Sequence, residues 1–335
     1  MKRTTIKDIA QVAGVSYATV SRALSGSPEI GEKTRERIRL ISEEMGYTTN
    51  YIAQSMVLKQ TKLIGLIVSG IVNPFVAELA YHIESRVREL GYSLLLCNSS
   101  NDLDVEQHMF KLLLGRQVDG IIVMPAHTES YQKLSEYIAT TPTVFIGENF
   151  KDMPESYVAV DNYRGTRIGM EFLFSLGHRD IIYFGRRKNS VTHQHRAEGY
   201  LSACKEMGVE SQVINSNFQS SSIAAGMQMA RQLFSKPLSA TAIFAATDTL
   251  ALGILGEAEE AGIDVPGDLS VMGFDNITYS GLPKINLTTI EQPKKTMGSL
   301  SVDMLLERIN DPDIGYSHRI LAPSLVERGS CRSIL

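Results

Sequence analysis

Residues 14–26 read GVSYATVSRALSG, and Arg22 is the single charge among them. On their N-terminal side Ile6, Ile9, Ala10 and Ala13 recur at i, i+3, i+4 and i+7, which makes one apolar face of a short helix. Gly14 is a natural stop for that helix, because glycine enters the left-handed conformation at a helix end without steric cost. Ser16 then predicts the cap of a second helix, with Val20, Ala23 and Leu24 inside and Tyr17, Ala18, Ser21 and Arg22 outside. After the turn SGSPEIG at 25–31, residues Thr34 to Met45 predict a third helix through Ile38, Ile41 and Met45. Three short helices with a tight glycine turn between the first two fit a helix-turn-helix, whose second helix enters a DNA major groove. A small helical bundle with a solvated arginine is the plain alternative.

A reading helix of this kind needs few charges, since base edges are read by hydrogen bonds and methyl contacts while phosphates supply affinity. Arg22 suits a guanine edge, Tyr17 offers a hydroxyl and a ring edge, and Ala18 permits close approach or a thymine-methyl contact. Thr5, Ser16, Thr19, Ser21 and Thr34 are hydroxyls suited to phosphates, aided by helix N-termini. Charge follows the same division. Residues 1–60 hold nine Lys and Arg against six Asp and Glu, a net +3, and the remainder holds 24 against 31, a net −7. The overall −4 therefore conceals a basic head on an acidic body.

With 335 residues, 43% of them apolar, the chain has length for two or three cored domains. From Lys62 onward, apolar runs such as LIGLIV (63–68) and YSLLLC (92–97) alternate with amphipathic stretches such as Pro74 to Leu90. A second set includes DIIYFG (180–185), TAIFAA (241–246) and LSVMGFD (269–275). Such alternation predicts parallel sheets covered by helices, in two units. Ligands on open sheets sit beyond the carboxyl ends of the strands, where the polar clusters VSGIVNPF (68–75), GENF (147–150), ATDTL (246–250) and FDN (274–276) fall.

The motifs TIKDIAQVAGVSYATVSRALSG (5–26), TRERI, EEMGY and NYIAQSM together resemble the N-terminal domain of the lactose/galactose repressor family of bacterial transcription regulators. NPFVAEL, VDGIIVMP, GHRDIIYFG, ATDTLALG, DLSVMGFDN and LTTIEQP continue the likeness in family order along nearly the whole chain. The resemblance implies a multi-domain protein: an all-α helix-turn-helix head at 1–48, a hinge helix and linker at 49–61, and an α/β two-lobed core at 62–335 resembling periplasmic sugar-binding proteins. It implies a homodimeric repressor of carbohydrate-utilisation genes that reads a pseudo-palindromic operator under control of a sugar or sugar phosphate in the interlobe cleft. It further implies hinge contacts to DNA from Asn50, Ala53 and Met56, an apolar side chain wedging into the minor groove. Here the sequence departs from the family: Met56 stands where leucine is usual, and Thr49 where proline is common.

For the cleft, the resemblance places Arg196 and Asp275 on the effector, with Asp248 as a partner, and matches Phe75 and Phe218 to its apolar wall. Asn73, Glu148 and Asn149 are weaker candidates. His193 and His195 lack a third ligand at a metal-binding spacing and read as a solvated loop or a polar rim. No metal or nucleotide cofactor is expected, and no hydrolase, nucleotide-binding or zinc-protease motif stands in the chain, so an enzyme is not expected. Cys97, Cys204 and Cys331 show no paired spacing, and no apolar run has the length of a membrane span, which together predict a cytoplasmic protein without membrane attachment. The C-terminus carries no heptads, so a tetramer is not expected. The alternatives are a solute receptor or sugar enzyme with an unrelated head, and a carbon-control factor answering to a protein partner.

Overall fold

The computed structural model describes residues 4–24, 27–47, 60–147, 153–218 and 221–335. The chain divides into two compact units, Met1–Thr61 and Lys62–Leu335. In the first, α1 (Ile6–Ala13) opens on a reciprocal cap in which Thr5 N–H donates to Asp8 Oδ2 at 2.8 Å and Thr5 Oγ1 accepts from Asp8 N–H. It closes at Gly14, whose φ of 64° is left-handed. Ser16 Oγ accepts from Thr19 N–H at 3.0 Å and starts α2 (Tyr17–Leu24). The third helix, α3 (Glu32–Glu44), begins two residues before the predicted Thr34 because Glu32 and Lys33 are good helix formers and Glu32 favours the positive helix end. Ile9, Ala13, Val20, Ala23 and Ile38 form the buried centre of this head. Asn50, Ala53 and Met56 of the expected hinge lie outside the described residues.

In the second unit the alternation unfolds as β1 (Leu63–Val68), α4 (Pro74–Glu89), β2 (Ser93–Asn98), α5 (Leu103–Gly115), β3 (Gly120–Val123), α6 (Ser130–Ile138), β4 (Thr143–Gly147) and β5 (Ser156–Val160). A second lobe follows: α7 (Asn162–Ser175), β6 (Ile181–Arg186), α8 (Val191–Met207), β7 (Gln212–Asn215), α9 (Ile223–Phe234), β8 (Ala242–Ala245), α10 (Asp248–Glu260), β9 (Ser270–Asp275) and β10 (Thr288–Glu291). Then α11 (Lys294–Asn310) and β11 (His318–Leu321) return to the first lobe, and β12 (Ser324–Val326) returns to the second. The sheets run β11-β5-β4-β3-β1-β2, all parallel, and β12-β10-β9-β8-β6-β7, parallel except for β12. Strands such as β3, β8 and β9 are buried along their whole length, which is why they read as unbroken apolar runs.

The chain passes between lobes three times, at 160–162, 291–294 and 321–324. Where α9 meets α10, Gly226 and Gly253 let the two backbones approach so closely that a Cβ on either would collide with main-chain atoms of the other helix. That close crossing places the starts of both helices together at the carboxyl edge of the second sheet.

Candidate functional site

On α2, Tyr17, Ala18 and Arg22 are exposed, while Thr19 and Ser21 are half-buried. Arg22 Nη1 lies 3.2 Å from Glu29 Oε2, with both side chains more than half exposed, so another partner can replace Glu29 at little cost. Thr5 donates its hydroxyl hydrogen to Asp8 at 2.7 Å, and Ser16 shares a 2.8 Å hydrogen bond with Thr19, so these hydroxyls shape helix ends first. Thr34, Lys33 and Arg37 are exposed on α3, and Lys7 is exposed on α1. Arg35 and Arg39 instead pair with Glu32, and with Glu36 and Glu43, along α3 itself.

Between the lobes of the core lies a cleft of about 720 Å³. Its electrostatic centre is Arg196 on α8, whose Nε donates to Asn162 Oδ1 at 2.8 Å and whose Nη1 donates to Ala246 O at 2.6 Å and Asp275 Oδ1 at 3.3 Å. The guanidinium lies 3.6 Å from the centre of the Phe274 ring. Asp275 ends β9 and also accepts from Gln292 Nε2 at 2.7 Å. Burial raises its carboxyl above the ordinary aspartate range, Arg196 opposes that, and the nearby Asp248 adds to it. Across the cleft, Ile71, Val72, Phe75 and Met124 form an apolar wall. Asn73 lines the cleft while capping α4, its Oδ1 accepting from Phe75 N–H at 3.0 Å.

Two sequence expectations are corrected here. Asp248 does not line the cleft: its Oδ2 accepts from Ile277 N–H at 3.0 Å and Ser280 Oγ at 2.6 Å, and its Oδ1 accepts from Thr289 Oγ1 at 2.5 Å. It turns away from the cleft to brace the loop after β9, in space that Gly273 leaves open. Phe218 packs beside Ile214, Met229 and Leu233 on another face of the second lobe, because the loop after β7 leads it away from the interlobe space. Glu148 and Asn149 lie outside the described residues.

Sequence reasoning missed a group of hydroxyls. Ser190, Ser222 and Thr247 cap α8, α9 and α10 and line the cleft at the same time, so three helix N-termini face it from one lobe. A Ser or Thr standing between each strand and the next helical run was the available signal. Arg187 and Thr192 also line the cleft. His193 is helical and buried, neither loop nor solvated: its Nδ1 donates to Gly185 O at 3.2 Å, leaving Nε2 toward Ser221. Burial first, then Arg196 and Arg187, push its pKa well below the usual value, so it stands neutral. The lobes are joined across the cleft by Thr192 Oγ1 donating to Gly147 O at 3.3 Å and by Asn189 Nδ2 donating to His127 Nδ1 at 3.0 Å.

Residues 5–50 match the family described as bacterial regulatory proteins, lacI family, and residues 170–331 match a periplasmic binding protein-like domain. The chain is 37% identical over 304 residues to the HTH-type transcriptional regulator DegA of Bacillus subtilis (strain 168), covering 89% of each. It is 30% identical to the ribose operon repressor of Escherichia coli (strain K12), over 97% of this chain and 99% of that one. A solved lac repressor dimer, bound to operator and the anti-inducer ONPF, superposes with a TM-score of 0.88 at 28% identity, covering 99% of this chain and 100% of that one.

Proposed function

We propose, for a chain that belongs to the lacI family of bacterial regulatory proteins, that a small polyhydroxylated effector in the interlobe cleft sets how tightly a homodimer holds a pseudo-palindromic operator. The chain is a DNA-binding transcription regulator with an α-helical head and a two-lobed α/β core. Our reading makes it a repressor of carbohydrate-utilisation genes. It acts in the cytoplasm and by binding alone; no described helix is long and apolar enough to cross a membrane.

The observation that carries the reading is the placement of Arg196 and Asp275 opposite Phe75 in one cleft. A sugar ring presents hydroxyls that both donate and accept, and C–H faces that pack on apolar surface, so it fits a wall of paired donors and acceptors facing an aromatic one. The ribose operon repressor, 30% identical over nearly the full length, supports the sugar class by its name, and the operator-bound lac repressor dimer supports the assembly. In this reading Tyr17, Ala18 and Arg22 read bases, while Ser16, Thr19, Ser21, Thr34 and the Thr5 helix end meet phosphates. Asn50, Ala53 and Met56 serve the operator centre, and Asn73, Glu148, Thr192, His193 and Gln292 assist Arg196 and Asp275 at the effector.

The effector acts only through its differential affinity for two lobe arrangements, and by linkage operator and effector change each other's affinity by the same factor. A thermal-shift screen of the full chain against pentoses, hexoses, their phosphates and purine bases tests the class, since a specific ligand raises the melting temperature by mass action. A sugar hit that also changes operator affinity is the expected result. A purine hit, or a sugar hit without effect on operator binding, overturns it.

A further inference from the structure

The turn that carries Asp275 has a costly backbone. Asp275 has a φ of 127° and Asn276 a φ of 50°, both in the region glycine favours, so surrounding contacts must hold them there. The second lobe supplies some of those contacts: Asp248 takes the Ile277 N–H, and Arg328 Nη2 donates to Asn276 Oδ1 at 2.7 Å.

Thr289 Oγ1 also accepts the Asn276 N–H, at 3.4 Å, and three further contacts come from the first lobe. Lys294 opens α11, the helix that returns to the first lobe, and its Nζ donates to Asp275 O at 3.0 Å and to Asn276 O at 2.6 Å. The same ammonium lies 3.3 Å from Glu78 Oε2 on α4, with only 10% of the Lys294 side chain exposed. Glu78 Oε1 accepts the Thr278 N–H at 2.8 Å. The two helices holding this ion pair pack closely, since a Cβ added at Gly298 of α11 would come within 3.1 Å of Ile83 N on α4. His82 and Lys295 stand beside the pair, and His82 is pushed down by burial and then by the two lysines. Glu78 and Lys294 therefore move with one lobe, and the turn they grip by three hydrogen bonds belongs to the other.

We propose that the Glu78–Lys294 pair is an interlobe latch that positions the Asp275 turn, so that the placement of the Asp275 carboxylate depends on how the lobes stand. Separating the lobes breaks all three hydrogen bonds and releases a backbone that its own lobe holds incompletely. Lobe arrangement and effector grip then form one equilibrium. The effector part of this statement rests on the cleft reading above; the latch does not.

Hydrogen–deuterium exchange on the full-length protein without added ligand tests the latch, so its outcome is separate from the identity of the effector. In Lys294→Met and Glu78→Leu, amides 276–280 should exchange about tenfold faster than in the parent, while β8 and α10 keep parental rates. The double variant should exchange no faster than the quicker single one, because both remove a single device. Glu78→Gln keeps an oxygen for Thr278 N–H and conserves volume, so it guards against misfolding; about threefold faster exchange over 276–280 is expected there. Unchanged exchange at 276–280, multiplying effects in the double variant, or an equal rise in β8 and α10 would each overturn the proposal.

Discussion

Arg22 and Arg196 are both proposed to meet a ligand, yet the side chain of the first is 59% exposed on α2 and that of the second 3% exposed between a carboxylate, a main-chain carbonyl and an aromatic ring. The head keeps the side chains proposed to read DNA outside a small centre built from Ile9, Val20, Ile38 and a few alanines. In the cleft, the groups proposed to grip the effector also hold the second lobe together. An exposed reader can therefore be changed without touching the fold, whereas in the cleft recognition and stability share the same bonds.

The sharpest way to break that contrast is Arg196→Ala. It leaves Asp275 as a buried carboxyl without its cation and strips donors from Asn162 and Ala246 O. Loss of one partner from such a buried pair should lower the unfolding free energy of the core by about 3–5 kcal/mol in urea titrations. A loss below about 1 kcal/mol would show that cleft and fold are separable after all.

Arg22→Ala is the matched test in the head. Operator affinity should fall by about 1–3 kcal/mol in anisotropy titrations, with non-specific DNA binding nearly unchanged. Head stability should stay within about 0.5 kcal/mol of the parent, because the Glu29 pair that is lost is exposed. Equal losses on specific and non-specific DNA would instead assign Arg22 to phosphate.

The same contrast explains what could be read from the sequence. The helix-turn-helix was legible because Gly14, Ser16 and the spacing of Ile9, Ala13, Val20 and Ala23 act locally. The two parallel sheets were legible because strands covered on both faces read as unbroken apolar runs. Arg196 came from resemblance, and Asp275 from resemblance and from its position at the end of an apolar strand. Asp248 shares that position and yet faces away, since a strand-end pattern does not say toward which side a helix's first residue turns. Phe218 failed for a related reason, an aromatic being equally at home on any apolar wall. Ser190, Ser222 and Thr247 were hidden by doing two things, capping a helix and lining the cleft, of which only the first leaves a local signature.

Gly14→Ala probes the head from the side of its fold. The φ of 64° there strains any residue with a Cβ, but a Cβ would meet no atom within 4 Å, so the cost is conformational alone. A loss of about 1 kcal/mol in head stability is expected. Operator binding should weaken only as far as the folded fraction falls. A change in operator affinity at full folding would show that the turn itself meets DNA.

The smallest effect separates charge from packing in the cleft. His193 is neutral in the folded protein because burial, Arg196 and Arg187 lower its pKa well below 6.5, whereas the unfolded chain titrates near that value. Below pH about 6.5 the unfolded state thus binds a proton that the native state refuses, and stability falls as pH falls. Above that pH neither state binds the proton, and the contribution is fully present. His178, lowered first by burial, acts in the same direction, while Asp248 and Asp275, raised first by burial, act in the opposite one. All three remain in His193→Asn, whose amide can still reach toward Gly185 O, so the difference between parent and variant isolates one imidazole. Between pH 7.5 and 5.5 the parent should lose about 1 kcal/mol more than the variant, one proton over roughly one pH unit, in urea titrations at each pH. Parallel pH profiles would mean that folding leaves the His193 titration where the unfolded chain has it, so that the imidazole takes up its proton in the cleft as pH falls, and the neutral acceptor at Nε2 would have to be replaced by a cationic donor over that range.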